Sequence, residues 1–225
     1  MKIPPTVEGR FVRRENRFRV VVEVAGVLRW AHLPNSGRLR ELLTPGRLCY
    51  LVPRFAPNRR TDLDLLLMAD GETLVSVDAR LPGPLFAEAL EGGLSGWEGV
   101  VRIEREVRCG ESRLDFRLEG PAGPVWVETK SVTLVEGGVA LFPDAPTLRG
   151  QRHLRHLADL ARAGEGAAVV FVVQRPDAEA FAPNARADPA LTALLAEGAA
   201  AGVRVYAYGC MVSREEVRLA RPLPV

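Results

Sequence analysis

Two carboxylates and a lysine stand at spacings that suit metal-dependent chemistry. Asp115 lies in one run of alternating apolar and polar residues, and Glu128 and Lys130 lie in a second run beyond a Gly/Pro-rich turn. Carboxylate oxygens are ligands that Mg²⁺ and Mn²⁺ prefer, and Mg²⁺ often uses only one or two protein carboxylates. A lysine two residues beyond Glu128 can orient a water on the metal or stabilise charge that develops on a phosphate.

The two runs predict an antiparallel hairpin, because period-two alternation on both sides of a turn is typical of paired strands. A four-residue loop over 120–123 places Asp115 directly opposite Glu128 on one face. Like charges so opposed destabilise a hairpin by up to roughly 1 kcal/mol, and a divalent cation would offset that repulsion. The same register pairs Glu119 with Pro124, Arg117 with Trp126 and Arg113 with Lys130, and assigns Leu114, Phe116, Leu118, Val125, Val127 and Thr129 to the core face.

Lysine usage distinguishes this site from an ordinary salt bridge. The chain has 30 Lys and Arg residues together, and only Lys2 and Lys130 are lysine. A sequence that otherwise uses arginine places its one internal lysine here, which indicates that a compact ammonium is needed. The alternative is a cross-strand salt bridge on a solvated face, where Glu-x-Lys pairs are common and contribute little stability.

The composition is that of a folded protein without a membrane segment. The 225 residues, 47% of them apolar, are enough for one large or two small domains with a sizeable core. No apolar run approaches 18 residues and no secretory leader is visible, so we expect a cytoplasmic protein without a membrane partner. The three cysteines are far apart and lack Cys-x-x-Cys spacing, which predicts reduced, buried thiols.

The first third of the chain is basic. Residues 1–80 carry 14 Lys/Arg and 9 Asp/Glu, whereas residues 81–225 carry 16 and 19. About five short strands, a hairpin turning at 13–16 and a short helix over 38–43 predict a small barrel in residues 1–80, most simply an OB-fold.

Barrels of this kind bind single strands with positive charges and aromatic platforms, although a solvated Arg-rich surface is the alternative. The aromatic candidates are Phe18, Trp30, Tyr50 and Phe55. The candidate nucleic-acid-binding residues are Arg13, Arg14, Arg17, Arg19, Arg54, Arg59 and Arg60.

Residues 81–225 alternate helices and strands, which predicts an α/β (α+β) domain with a mixed sheet covered by helices on both faces. The predicted helices are 85–91, 147–163 and 189–201, and the predicted strands are 101–107, 112–119, 125–133, 167–174 and 203–208.

The order of helix, hairpin, Asp, Glu-x-Lys and helix resembles the PD-(D/E)xK nuclease core. More specifically, the chain resembles the sugar fermentation stimulation protein A family. The matching segments are HLPNSG at 32–37, SRLDF at 112–116, ETKSVTL at 128–134, FPDA at 142–145, RGQRHL at 149–154 and VQR at 173–175. The resemblance implies an N-terminal OB domain, a nuclease-like C-terminal domain and binding of single- or double-stranded DNA with little sequence preference. Ser131 and the Leu33-Pro34-Asn35-Ser36 segment depart slightly from the family pattern.

Several other residues are candidates for the same site, each with a simpler alternative. The resemblance matches Glu88 to a helical acid that many such nucleases add to the metal site, and it brings Gln151 towards the site from the next long helix. Both would otherwise be ordinary surface residues. Asp144 is a further ligand or a turn former. His153 and His156 lack partners for a zinc site, so we expect solvated residues or phosphate contacts.

The leading hypothesis is a DNA-binding protein in which Asp115, Glu128 and the Thr129 carbonyl hold Mg²⁺ or Mn²⁺, and Lys130 assists attack of water on a phosphodiester. One alternative is a regulatory protein, for instance of sugar metabolism genes, that binds DNA without cleaving it. A third hypothesis is a nuclease that acts on RNA or another phosphodiester. The intact Asp, Glu and Lys set favours activity, because clustered carboxylates facing a polyanion give a pure binding protein little benefit.

Overall fold

The first part of the chain folds as a barrel extended by one strand. Its strands are β1 (Val7–Asn16), β2 (Arg19–Val24), β3 (Val27–His32), β4 (Leu48–Pro53), β5 (Leu63–Asp70) and β6 (Thr73–Ser76). The computed structural model describes residues 1–55, 57, 59–110 and 112–225. The strand order is β3-β2-β1-β4-β5-β6, and His32 of β3 also pairs with Asp64 of β5, which closes the first five strands into the predicted OB-like barrel.

Two local predictions in the barrel are wrong. β1 runs on to Asn16, which pairs with Arg19, so the hairpin turns at residues 17–18 instead of 13–16. The Asn16 side chain accepts the Phe18 N–H at 2.9 Å, which is how an Asx turn forms. The predicted helix over 38–43 is a series of turns, because Leu39 has a φ of 50° in the left-handed region, where L-residues do not continue a helix.

The rest of the chain builds a mixed sheet with helices on both faces, as predicted. Its elements are α1 (Pro82–Glu91), β7 (Arg102–Cys109), β8 (Ser112–Gly120), β9 (Gly123–Val132), β10 (Val135–Glu136), β11 (Val139–Phe142), α2 (Leu148–Arg162), β12 (Gly166–Val173), β13 (Ala180–Pro183), α3 (Pro189–Ala200), β14 (Arg204–Val212) and β15 (Val217–Pro222). The strand order of the large sheet is β15-β14-β12-β9-β8-β7, with β12 parallel to both β9 and β14 and the other pairs antiparallel. A smaller sheet has the order β10-β11-β13.

Strand β12 divides the core of this sheet between its two faces. Val169 and Phe171 pack in one cluster with α2 and α3, and Val170 and Val172 pack in another with α1. Every residue of β12 after Gly166 is buried, as expected for a parallel strand covered on both sides.

The β8–β9 hairpin has the predicted register only near its turn. Glu119 pairs with Pro124 and Arg117 with Trp126, but the described ladder ends at Phe116 and Val127. Leu114 packs on the α2 face and Phe116 on the α1 face, so the prediction that they share a face is wrong. Asp115, between them, lies just outside the β8–β9 ladder, and Glu106 of the neighbouring strand has a φ of 53°. The strands therefore part where the carboxylates lie.

A buried polar side chain joins the barrel to the sheet. Gln174, directly after β12, accepts a hydrogen bond from Ser76 Oγ (3.1 Å) and donates to Ser131 Oγ (2.8 Å) and the Asp78 carbonyl (3.1 Å). Ser76 belongs to the barrel and Ser131 to β9, so this amide links the two parts of the chain beside the parted strands.

Candidate functional site

Asp115, Glu128, Thr129 and Lys130 line one cleft of about 1180 Å³. One wall of this cleft is the segment of the barrel that follows β3, and the opposite wall is the sheet and the start of α2. The structure therefore brings together the three residues that sequence spacing singled out, and it does so between the barrel and the sheet.

Glu128 is the buried centre of the cluster. Its Oε1 accepts a hydrogen bond from Lys130 Nζ at 2.6 Å and also contacts His153 Nδ1, while Lys130 Nζ lies 3.3 Å from His153 Nδ1. Burial alone would raise the pKa of Glu128, but the hydrogen bond from His153 and the charge of Lys130 outweigh burial and hold the pKa below its ordinary value. Glu128 Oε2 is buried and has no hydrogen-bond partner in the part of the chain that the structure describes.

Asp115 faces the gap between the parted strands. Its Oδ2 accepts hydrogen bonds from the Thr129 N–H (2.8 Å) and the Thr129 Oγ1 (2.6 Å). Burial, and then the negative charge of Glu128, raise the pKa of Asp115, although the bonds from Thr129 oppose that rise. The two carboxylates therefore interact electrostatically, as the sequence predicted, although Asp115 contacts the residue after Glu128 instead of pairing with Glu128.

His153 is the site residue that sequence reasoning misplaced. We expected a solvated or phosphate-binding side chain, whereas His153 is buried against Glu128. It stands one residue before Leu154 and four before Leu157, both buried on the inner side of α2. That spacing was the signal, because residues at i and i+4 share a helix face.

Two other predicted site residues lie elsewhere. Gln151 is buried, and its amide donates to both carboxylate oxygens of Asp188 (3.0 and 3.2 Å), the residue that caps α3. Glu88 is on the exposed side of α1, where its carboxylate accepts the N-terminal amine of Met1 at 2.9 Å. Neither Gln151 nor Glu88 lines the cleft that holds Asp115 and Glu128, so their part in the site stays a prediction.

Asp144 binds the barrel. Its Oδ2 accepts the Leu39 N–H at 3.0 Å, and a Cβ at Gly37 would lie 2.9 Å from the same oxygen. Only glycine allows this close approach. Asp144 therefore fixes the turn that follows β3 as one wall of the cleft.

The predicted nucleic-acid-binding arginines divide into three groups. Arg14 is half-buried and donates to five backbone carbonyls, those of residues 16, 17, 35, 37 and 38, so it stabilises the loop and is not available for phosphates. Four others have acidic partners: Arg13 and Arg19 pair with Glu15, and Arg54 and Arg59 pair with Asp64.

Arg17 and Arg60 form the third group and have no acidic partner among the described residues. Arg17 lines the cleft, and Arg60 lines a smaller groove beside Trp30. Exposed Arg105 and Arg149 also line the cleft. Its rim is therefore positive, although its floor holds two carboxylates.

Two negative findings apply to the described residues. No helix among them is both long and apolar enough to cross a membrane. No group of three or more His, Cys, Asp or Glu side chains in residues 1–55, 57, 59–110 and 112–225 is arranged to bind a metal ion. A cation at this site would therefore depend on the Asp115 and Glu128 pair.

Two family models match the chain. Residues 12–77 match the "SfsA N-terminal OB domain", and residues 80–216 match the "Sugar fermentation stimulation protein RE domain". Sugar fermentation stimulation protein homologs are similar along nearly their whole length. The homolog of Moorella thermoacetica is 47% identical over 222 residues, covering 97% of this chain and 96% of that protein. The homolog of Desulforamulus reducens is 44% identical, with 99% and 93% covered.

A solved structure is also similar. Pyrococcus furiosus SfsA, in complex with Ca²⁺, superposes with a TM-score of 0.92 at 38% identity, covering 100% of this chain and 97% of that one.

Proposed function

The chain belongs to the sugar fermentation stimulation protein family, and from that premise we propose that it binds DNA with little sequence preference and hydrolyses phosphodiesters with Mg²⁺ or Mn²⁺. One observation carries the proposal. The base of a cleft with arginines on its rim holds Asp115, Glu128 and Lys130. The buried Oε2 of Glu128 accepts no hydrogen bond from the described residues, and Lys130 is held between Glu128 and His153.

The residues present fit a divalent cation. Glu128 Oε2 is a buried carboxylate oxygen without a hydrogen-bond partner among the described residues, and leaving such a group unpaired costs free energy unless a proton or cation compensates it. Thr129 gives its N–H to Asp115, and the N–H and C=O of one strand residue point to the same side, so its carbonyl also faces Asp115. Two carboxylates and one carbonyl are a suitable oxygen set for a hydrated Mg²⁺ or Mn²⁺. The Ca²⁺ complex of the Pyrococcus furiosus relative supports a divalent cation in this family.

The side chains of the cleft then have separate tasks. A divalent cation held by Asp115, Glu128 and the Thr129 carbonyl would supply Lewis-acid polarisation of the phosphodiester and make water more acidic. Lys130, restrained by Glu128 and His153, would stabilise the negative charge that grows on the phosphoryl oxygens. Arg17 and Arg149 would hold flanking phosphates from opposite walls of the cleft.

Phosphate contacts of this kind carry no sequence information, because the backbone is the same for every sequence. Binding through arginines on the cleft rim therefore predicts affinity with little sequence preference.

Cleavage of labelled single- and double-stranded DNA with Mn²⁺, with Mg²⁺ and with EDTA tests the proposal. We expect cleavage that requires the metal and is lost in Asp115→Asn, which also weakens Mn²⁺ binding in calorimetry. Asp159→Asn is the matched control, because Asp159 is an exposed aspartate on α2 that pairs with Arg162, and it should leave cleavage unchanged. Metal binding and DNA binding without any cleavage by the parent protein would instead support a regulatory protein that binds DNA without cutting it.

A further inference from the structure

The outer face of the β2–β3 hairpin exposes a row of large apolar side chains. Trp30 is 50% exposed, Leu28 is 60% exposed and Phe18, in the turn before β2, is 45% exposed. Leu28, Trp30 and His32 alternate along β3 and therefore share one face. Phe18 continues the row, because its ring centroid lies 6.3 Å from that of His32. We call these four side chains the aromatic stripe.

Arginines surround the stripe. The Arg19 guanidinium lies 4.7 Å from the Trp30 ring centroid, and the Arg17 guanidinium lies 5.4 Å from that of Phe18. Arg13 is opposite Val21 on β2, and Val21 is in turn opposite Trp30, which puts Arg13 on the same face as the indole.

Further charges stand beside Trp30 in a groove. Arg29 and Arg60 line it, and Arg29 is paired with Asp62. Glu15, Glu23 and Asp62 lie near the stripe, against five arginines at positions 13, 17, 19, 29 and 60. Asp64, which pairs with His32 in the sheet, is itself bound by Arg54 and Arg59. The exposed rings are thus set in a surface with an excess of positive charge, which suits a polyanion that also offers flat apolar faces.

The stripe leads into the cleft. Arg17 both contacts the ring of Phe18 and lines the cleft that holds Asp115 and Lys130. From Leu28 to His32 the strand advances about 13 Å, at roughly 3.3 Å per residue. About four unpaired bases could lie along this distance, which is at the lower end of the roughly 4 to 16 nucleotides that one OB barrel covers.

We propose that the aromatic stripe is a track on which a single strand of DNA stacks its bases before its backbone enters the cleft. The inference rests on the proposed function, and it adds the strand form that the barrel selects. Only unpaired bases present a free face to Trp30 and Phe18, because bases in a duplex are stacked on one another. A duplex would therefore meet only the arginines.

Binding experiments in EDTA, where no cleavage occurs, test the track on the full-length chain. The probes are a labelled oligothymidylate of about 12 nucleotides, within the site sizes of OB barrels, and a duplex of the same length. Trp30→Ala should weaken binding of the single strand about tenfold, and Phe18→Ala with Trp30→Ala about a hundredfold, with less than twofold change for the duplex. Met211→Ala is the matched control, because Met211 is an exposed apolar side chain on β14 that lines neither the cleft nor the groove beside Trp30.

Trp30→Phe separates stacking from folding. This variant keeps an aromatic face, so its affinity for oligothymidylate should stay within about threefold of the parent. Oligothymidylate should quench the tryptophan fluorescence of the parent but not that of Trp30→Phe, because of the other two tryptophans Trp97 is buried and Trp126 is partly buried beneath Arg117.

Three other outcomes would refute the proposed track, and each can be distinguished from the others. Unchanged single-strand affinity in Trp30→Ala, with binding by the parent intact, refutes the track and leaves the proposed function standing. A parent that binds neither probe refutes both. If Trp30→Ala abolishes a dimer in sedimentation while its affinity for oligothymidylate is unchanged, the stripe is a contact between two copies of this chain.

Discussion

Replacing Lys130 with arginine separates a catalytic ammonium from an ordinary ion pair. In the structure the pair is not on a solvated face, because the side chains of Lys130 and Glu128 are 13% and 4% exposed. The small stabilisation that is typical of a solvent-exposed ion pair is therefore not expected for this one. Lys130→Arg keeps the positive charge, but a planar guanidinium is too wide to sit 2.6 Å from Glu128 Oε1 and 3.3 Å from His153 Nδ1 at the same point.

The expected loss follows from the cost of displacing one preorganised electrostatic group. Such groups contribute about 10²- to 10³-fold to the rate, or roughly 3 to 4 kcal/mol. Lys130→Arg should therefore bind Mn²⁺ and DNA nearly as the parent does while losing at least about a hundredfold in cleavage rate. Lys130→Ala should lose as much activity and also stability, by roughly 3 to 5 kcal/mol, because it leaves a buried carboxylate without its cation.

Lys2→Arg is the matched control, because Lys2 is the chain's other lysine and forms an exposed pair with Glu216. Calorimetry for Mn²⁺, gel assays for cleavage and thermal unfolding on the same preparations provide the three readouts. Full cleavage activity in Lys130→Arg would refute the reasoning, since an ion pair alone tolerates either cation. Equal losses of cleavage in Lys130→Arg and Lys2→Arg would also contradict it.

Three further predictions concern affinity, stability and thiol reactivity. The double variant Arg17→Ala with Arg60→Ala should reduce the slope of log affinity against log salt by about 0.9 per lost phosphate contact on duplex DNA, or about 0.7 on single strands. An unchanged slope would show that other residues make the phosphate contacts. Gln174→Ala removes the three hydrogen bonds of this buried side chain, each worth roughly 1 kcal/mol, so the Tm measured by calorimetry should fall by about 5 to 15 °C. A fall of less than about 2 °C would contradict its role in joining the barrel to the sheet. Burial raises the pKa of the Cys49 thiol to about 12, so at pH 8 iodoacetamide should alkylate the half-buried Cys109 before Cys49. Mass spectrometry of the labelled protein measures the order, and faster labelling of Cys49 would contradict the prediction.

Sequence patterns predicted the elements whose periodicity is strong. The alternation around Asp115 and Glu128 predicted the hairpin, and the apolar run at 167–174 predicted the buried central strand, β12. The short strands β10, β11 and β13 were not predicted, because a run of two to four residues has too few positions to show a period.

The errors at the site have physical causes. Alternation assumes an undistorted strand, so it could not indicate that Leu114 and Phe116 pack on opposite faces of the sheet. The partner of Gln151 is Asp188, 37 residues later at the start of another helix, and helix periodicity predicts the face of a residue but not its partner. The burial of His153, in contrast, could have been predicted, because it lies four residues before the apolar Leu157 on the same face of α2.

The barrel and the sheet form the cleft jointly, and specific polar contacts join them beside it. Asp144 from the segment after β11 accepts the Leu39 N–H, and Arg14 from β1 holds the carbonyls of the same turn. Gln174 provides a second, fully buried link. Unsatisfied polar groups in such positions are costly, so each link favours one orientation of the barrel over others. Because Arg17 follows Arg14 by three residues, the same contacts that fix the turn also determine where the barrel presents its positive charge to the carboxylates. The position of a bound strand relative to Glu128 is therefore expected to depend on Asp144 and Arg14, although neither needs to touch the DNA.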